Sequence, residues 1–229
     1  MTETNGFCVV FDLGGVLVHV AHKWGDALDQ AQVAPGRPEA VHDVLEAFDE
    51  FLTYQAGVTT DDSYLDALTR FLGIEDPGSA FRVHQSILTQ PYAGTSQMVE
   101  ELHTLGYRTG CLSNTNAPHW AALLDPERYP AIAALQTPAA SHLMGLDKPD
   151  HRIYRAYEAL IGAAPENIAF FDDNAANIAA ARELGWKAFL KSPEAETPAA
   201  VWHALGGLGW PIHPASASTS IASSIPSGS

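Results

Sequence analysis

Four short apolar runs, each breaking off into polar or glycine-containing sequence, constrain this chain most: Phe7 to Phe11, Tyr107 to Leu112, Ile168 to Phe171 and Trp186 to Leu190. Each carries β-branched or aromatic residues and reads as a strand. Through the second half of the chain the runs alternate with helical patterns, which is the signature of a parallel sheet covered by helices. Ligands of such sheets bind at the carboxyl edge of the strands. Functional residues are therefore expected just after each run.

Between the first run and Pro91 the pattern is helical only, over Glu39 to Tyr54, Asp61 to Leu72 and Ser79 to Leu88, with no strand signal. Thr59-Thr60-Asp61-Asp62 supplies N-cap residues for the middle helix, and Gly73 and Pro77 punctuate its end. The segment reads as an insert that caps the strand ends. The expected organisation is an α/β core of residues 1–18 and 91–210 with a helical cap domain over 19–90. After Gly206 the sequence turns to Gly, Pro, Ser and Ala, with too few large apolar residues to offset chain entropy, so 211–229 is expected to be a disordered tail. No internal repeat is present.

The 229 residues are 46% apolar, enough for a sizeable core, and the formal charge of -15 repels polyphosphate backbones and anionic membrane surfaces. No apolar run approaches the ~20 residues that cross a bilayer, and the polar start Met1 to Gly6 lacks the regions of a signal peptide. A cytoplasmic protein is expected. Cys8 and Cys111 lie inside apolar runs and read as reduced core thiols.

Chemistry-bearing residues follow the runs. Phe11-Asp12-Leu13-Gly14-Gly15 puts a carboxylate at a strand end, where it can attack phosphorus as a covalent nucleophile while the glycines let backbone approach a phosphate or metal. Leu112-Ser113-Asn114-Thr115-Asn116 offers a hydroxyl and backbone amides before a helix, a natural phosphate cradle. In Asp147-Lys148-Pro149-Asp150 a lysine sits just ahead of a helix, where its ammonium can neutralise a phosphoryl oxygen. Phe171-Asp172-Asp173-Asn174 ends a strand in adjacent carboxylates that repel one another unless a cation joins them, and hard oxygen ligands suit Mg²⁺. Each has a plainer reading taken singly: a turn, an N-cap, a solvated lysine, a turn rich in Asp and Asn.

Together, and in this chain order, the four motifs resemble the haloacid dehalogenase-like (HAD) superfamily from Phe7 to Lys191, at Asp12, Ser113, Lys148 and the pair Asp172-Asp173. Leu112 to Asn116 and Phe170 to Ile178 look most like the branch containing bacterial α-D-glucose-1-phosphate phosphatase. That resemblance implies a Rossmann-like core with a helical cap inserted after the first strand. It also implies hydrolysis of a small phosphomonoester, such as a sugar phosphate, through an aspartyl phosphate on Asp12. Mg²⁺ would be held by Asp12, the Gly14 carbonyl, Asp172 and Asp173, while Ser113, Asn114 and Lys148 bind the phosphoryl oxygens. The partner implied is a small phosphorylated metabolite, with no nucleic acid or membrane.

The chain departs from most phosphatases of the superfamily at Gly14, where they carry a second Asp as general acid and base; the branch it resembles shares the glycine. Two alternatives follow from the same residues. A haloacid dehalogenase uses a similar Asp on carbon without metal, against which the acidic pair argues. A silent phosphate-binding protein would have lost turnover through Gly14. The ten histidines show no metal-ligand spacing, and His19 and His22 alone follow a motif closely enough to face the cap.

Overall fold

A computed structural model of the protein describes residues 6–210. Its strands in chain order are β1 (Cys8–Phe11), β2 (Val18–Val20), β3 (Leu88–Pro91), β4 (Arg108–Ser113), β5 (Thr137–Ala140), β6 (Ile168–Asp172) and β7 (Lys187–Leu190). Five of them form one sheet in the order β5-β4-β1-β6-β7, every pair parallel. The four apolar runs are β1, β4, β6 and β7. From β1 the chain builds outward through β4 and β5, then returns to build β6 and β7 on the other side. The carboxyl end of β1 is thus the topological switch point, the crevice where open α/β sheets bind ligands.

The runs are nearly continuous in apolar residues because both faces of the sheet are covered. Alternate residues of a strand enter opposite layers: Val9 and Phe11 pack with Phe171 on one face, Val10 with Phe170 on the other. Cys8 and Cys111 are free buried thiols, as expected. The layers are built by α5 (Thr95–Thr104), α6 (Ala117–Leu123), α7 (Pro130–Ala133), α8 (Ser141–Met144), α9 (His151–Ile161), α10 (Ala175–Glu183) and α11 (Thr197–Leu208). One strand, β5, escaped the sequence. Its Thr-Pro-Ala-Ala lacks large apolar residues, and Pro138 is tolerated because β5 is an edge strand pairing only with β4.

The insert holds helices α1 (Trp24–Ala31), α2 (Asp49–Gln55), α3 (Asp61–Leu72) and α4 (Pro77–Gln85). A hydrophobic cluster drawn wholly from Ala21 to Ile87 holds them together around Trp24, which meets Phe48 and Phe51 edge-on at 5.9 and 5.8 Å. A buried tryptophan of this kind is worth about 3–5 kcal/mol against alanine. The capping signals of α3 act as read: the Thr60 side chain accepts from the Ser63 amide, and Gly73 closes the helix in the left-handed region at φ 68°.

Two readings of the insert need correction. Expected to lack strands, it is bounded by β2 and β3, an antiparallel pair matching Val18 with Pro91 and Val20 with Leu88. At three and four residues they are too short for alternation to register. Helix α4 accordingly ends at Gln85, before Leu88 enters β3. The single helix expected over Glu39 to Tyr54 is instead two 3₁₀ turns, Pro38–His42 and Leu45–Ala47, followed by α2. Buried Leu45, Phe48, Phe51 and Tyr54 recur every three residues, a spacing that 3₁₀ turns satisfy without an unbroken α-helix. The tail expected at 211–229 lies outside the described residues. Among the described ones, no helix is long and apolar enough to cross a membrane.

Candidate active site

Asp12 emerges at the switch point. Its amide extends the β1–β6 ladder by donating to the Phe171 carbonyl at 2.8 Å, which fixes where its side chain leaves the sheet. Ser113 ends β4 and Asp172 ends β6, so the three strand ends meet around one spot. Lys148 approaches from the β5 side between α8 and α9. Only 3% exposed, its Nζ lies 3.0 Å from Asp12 Oδ1 and 2.7 Å from Asp172 Oδ2.

Two asparagines hold these groups in place. Asn177 Nδ2 donates to both oxygens of Asp172 at 3.1 and 3.0 Å, and the Asn174 amide donates to Oδ1 at 2.8 Å. Asn114 and the Lys148 backbone bond reciprocally, Nδ2 to the Lys148 carbonyl and the Lys148 amide to Oδ1, both at 2.8 Å. The Asn114 side chain therefore positions Lys148. The Thr115 amide, read from sequence as part of an open phosphate cradle, is occupied too: it donates to Ser141 Oγ at 2.9 Å.

Asp12, Asp172 and Asp173 each offer a carboxylate oxygen within 4.8 Å of the others. Burial pushes the Asp12 carboxyl up to about 7, opposed by Lys148 and reinforced by Asp172 and Asp173. Burial and then Asp172 raise Asp173 as well. Burial alone would lower Lys148, but Asp12 and Asp172 outweigh it and hold the ammonium above its ordinary range. Three carboxylates against one ammonium leave two negative charges. Lys148 is the one ion-pair partner of Asp12 Oδ1 among the described residues, and the excess of carboxylate oxygens fits a divalent cation.

The glycines after Asp12 differ in what they permit. A Cβ on Gly15, at φ 67°, would stand 2.0 Å from Asp173 Oδ2, so only glycine lets that carboxylate reach the site. At Gly14 a Cβ would meet Val20 Cγ1 at 3.4 Å, an ordinary contact. Packing does not demand glycine there.

Above the strand ends lies a cavity of about 410 Å³. Its floor includes Asp12, Ser113, Asn114, Lys148 and Asp173, and its roof includes His22, Leu45, Glu46, Phe51, Leu52 and Gln55 from the insert. Of the two histidines singled out by sequence, His22 lines this cavity. His19 instead stacks on Tyr92 at 3.6 Å. Roof and floor meet where Ser141 Oγ donates toward the Gln55 carbonyl at 2.6 Å, with the Thr115 carbonyl as its alternative acceptor at 3.1 Å.

A second buried network joins α4 to α6, and neither of its histidines stands out in the sequence. His84 and His119 stack at 4.0 Å, with Asn116 bridging them. One proton assignment satisfies every atom. The Tyr64 hydroxyl donates to His84 Nδ1, His84 Nε2 donates to Asn116 Oδ1, Asn116 Nδ2 donates to His119 Nδ1, and His119 Nε2 donates to the His84 carbonyl. Both rings are neutral in this arrangement. Burial lowers both, His84 well below the usual histidine range and His119 to about 4. As pH falls below 6.5 the unfolded chain takes up protons that the folded His119 refuses. Stability present above 6.5 is therefore lost toward pH 4, by about 3 kcal/mol for His119. Urea unfolding between pH 7.5 and 4.5 should show this loss, with a shallower slope in His119→Gln. Equal slopes would contradict the neutral assignment.

A parallel sheet with a carboxylate at the switch point, a buried lysine and an acidic triad define a class, and comparison with known proteins agrees. The chain belongs to the haloacid dehalogenase-like hydrolase family, whose model it matches over residues 8–185. It is 26% identical over 216 residues to phosphatase MT3486 of Mycobacterium tuberculosis, covering 88% of this chain and 94% of that one. Among solved structures, a HAD-like hydrolase from Porphyromonas gingivalis is 27% identical with TM-score 0.72, covering 87% of this chain and 97% of its own. The HAD enzyme BT-2542 from Bacteroides thetaiotaomicron, solved with magnesium and inorganic phosphate, is 22% identical with TM-score 0.70, covering 82% and 96%.

Proposed function

We propose that the protein is a Mg²⁺-dependent phosphatase that hydrolyses small phosphomonoesters, sugar phosphates among them, by way of an aspartyl phosphate on Asp12. The observation that carries this reading is Asp12 at the end of β1, its buried Oδ1 paired with the Lys148 ammonium at 3.0 Å and grouped with Asp172 and Asp173. Magnesium and phosphate held by BT-2542 and the phosphatase name of the mycobacterial relative support it. Asp12, Asp172, Asp173 and the Gly14 carbonyl would hold the ion. When bound, it supplies positive charge that offsets the carboxylates and the substrate dianion.

The chain's own groups do the rest. Asp12 attacks phosphorus, the bond to the leaving oxygen breaks, and that oxygen takes its proton from water, since Gly14 places no carboxylic acid beside it. Water then cleaves the acyl phosphate and releases inorganic phosphate. Ser113 and Lys148 meet the phosphoryl oxygens, so developing charge faces fixed donors. Asn114 acts through Lys148, and Asn177 through Asp172. We place the activity in the cytoplasm, on a small phosphorylated metabolite.

The test is phosphate release from a panel of monoesters with and without chelator. Activity should vanish in excess EDTA and return with Mg²⁺. Full activity in chelator, or metal-independent chloride release from 2-chloropropionate, would overturn the reading.

A further inference from the structure

The cavity is lopsided in charge. Its lining includes the acidic residues Asp12, Glu46, Asp147 and Asp173 but, among the described residues, a single lysine or arginine, Lys148, whose ammonium is already engaged by Asp12 and Asp172. Two histidines also line it: His119, neutral by its hydrogen bonds, and His22 in the roof. A phosphoryl group together with a divalent cation accounts for Asp12, Asp173 and Lys148. Glu46, in the roof opposite Asp12, is left over.

Glu46 is an exposed residue of the roof whose backbone is held in place. It sits in the 3₁₀ turn Leu45–Ala47, whose Leu45 amide donates to the His22 carbonyl at 3.1 Å, while Lys23 and Val44 form a β-bridge. Leu45 itself is buried in the cluster of the insert. The Glu46 carboxylate forms no ion pair among the described residues, and Lys23, bridged to this turn through Val44, is outside the cavity lining. Beside Glu46 the roof is apolar at Phe51 and Leu52 and uncharged at Gln55.

We propose that this cavity selects phosphomonoesters whose leaving group carries no second negative charge, and that Glu46 is the residue of the roof that enforces the choice. The inference rests on the phosphatase reading and narrows its substrates to neutral or amine-bearing alcohols. Carboxylate-bearing alcohols and bisphosphates are disfavoured because, among the described residues, the cavity offers no lysine or arginine beyond Lys148 for their second anion. Like charges separated by roughly 9 Å in an effective dielectric of about 30 discriminate about tenfold.

The experiment compares ω-substituted alkyl monophosphates of two and four carbons that end in an amine, a hydroxyl or a carboxylate. With Mg²⁺ present, kcat/KM for the carboxylate should fall about tenfold below the hydroxyl, and the amine should equal or exceed the hydroxyl. Glu46→Gln should narrow the gap several-fold, Glu46→Lys should favour the carboxylate, and Glu46→Asp should keep the original order. Raising salt should shrink the preference in the wild type. Calorimetric binding of the matching phosphonates to the Mg²⁺-loaded protein reads the same order without turnover. If no ester is hydrolysed, the phosphatase reading falls while the phosphonate order still decides the charge rule. Equal values for hydroxyl and carboxylate, or a gap unmoved by Glu46→Gln and Glu46→Lys, would overturn the proposal.

Discussion

Asp12→Asn should lower phosphate release by at least about 10⁴-fold, the scale on which loss of a covalent nucleophile is felt. The amide is nearly isosteric, so the β1–β6 ladder that the Asp12 backbone extends is untouched. The fold should survive, because an amide at this crowded site no longer repels Asp172 and Asp173, the neighbours that help push the native carboxyl up. Phosphate release and thermal unfolding, measured on one preparation, check both halves. Turnover within about 100-fold of wild type would refute the covalent role, since general acid-base assistance alone is worth that much.

Lys148→Met should act in the opposite sense on stability. Lys148 is the ammonium that lies between Asp12 and Asp172, and removing it leaves two buried carboxylates facing each other. Breaking a buried pair in this way costs about 3–5 kcal/mol. At this chain length that corresponds to about 10 °C in Tm in the presence of chelator. Magnesium should recover more stability in the variant than in the wild type, because a divalent cation neutralises the same oxygens. Phosphate release should stay low in either condition. A variant as stable as wild type in chelator would mean that the carboxylates are neutralised by something other than Lys148.

These two residues were legible in the sequence because strand ends in a parallel sheet are announced locally, by an apolar run that stops at a polar residue. Asp12, Ser113 and Asp172 all follow that rule. Lys148 came with its neighbours Pro149 and Asp150, of which Asp150 caps α9 through the Arg152 amide. What stayed hidden depends on partners distant along the chain. Asn114 reads as a phosphate contact until Lys148, 34 residues on, claims its side chain from both ends. His84 and His119 look scattered because the stack that neutralises them joins two helices 35 residues apart. Short β2, β3 and β5 were missed for want of length and apolar bulk, not for want of a rule.

Ser141 has one hydroxyl proton and two carbonyls within reach, Gln55 on the roof and Thr115 on the floor. A buried donor stripped of its acceptor costs about 1–3 kcal/mol. Here the proton can turn to Thr115 if it leaves Gln55, so the Ser141 donor keeps an acceptor either way. The lip of the cavity is closed by a hydroxyl with a second acceptor on its own side, so this one contact adds less to holding roof on floor than a donor with a single acceptor would.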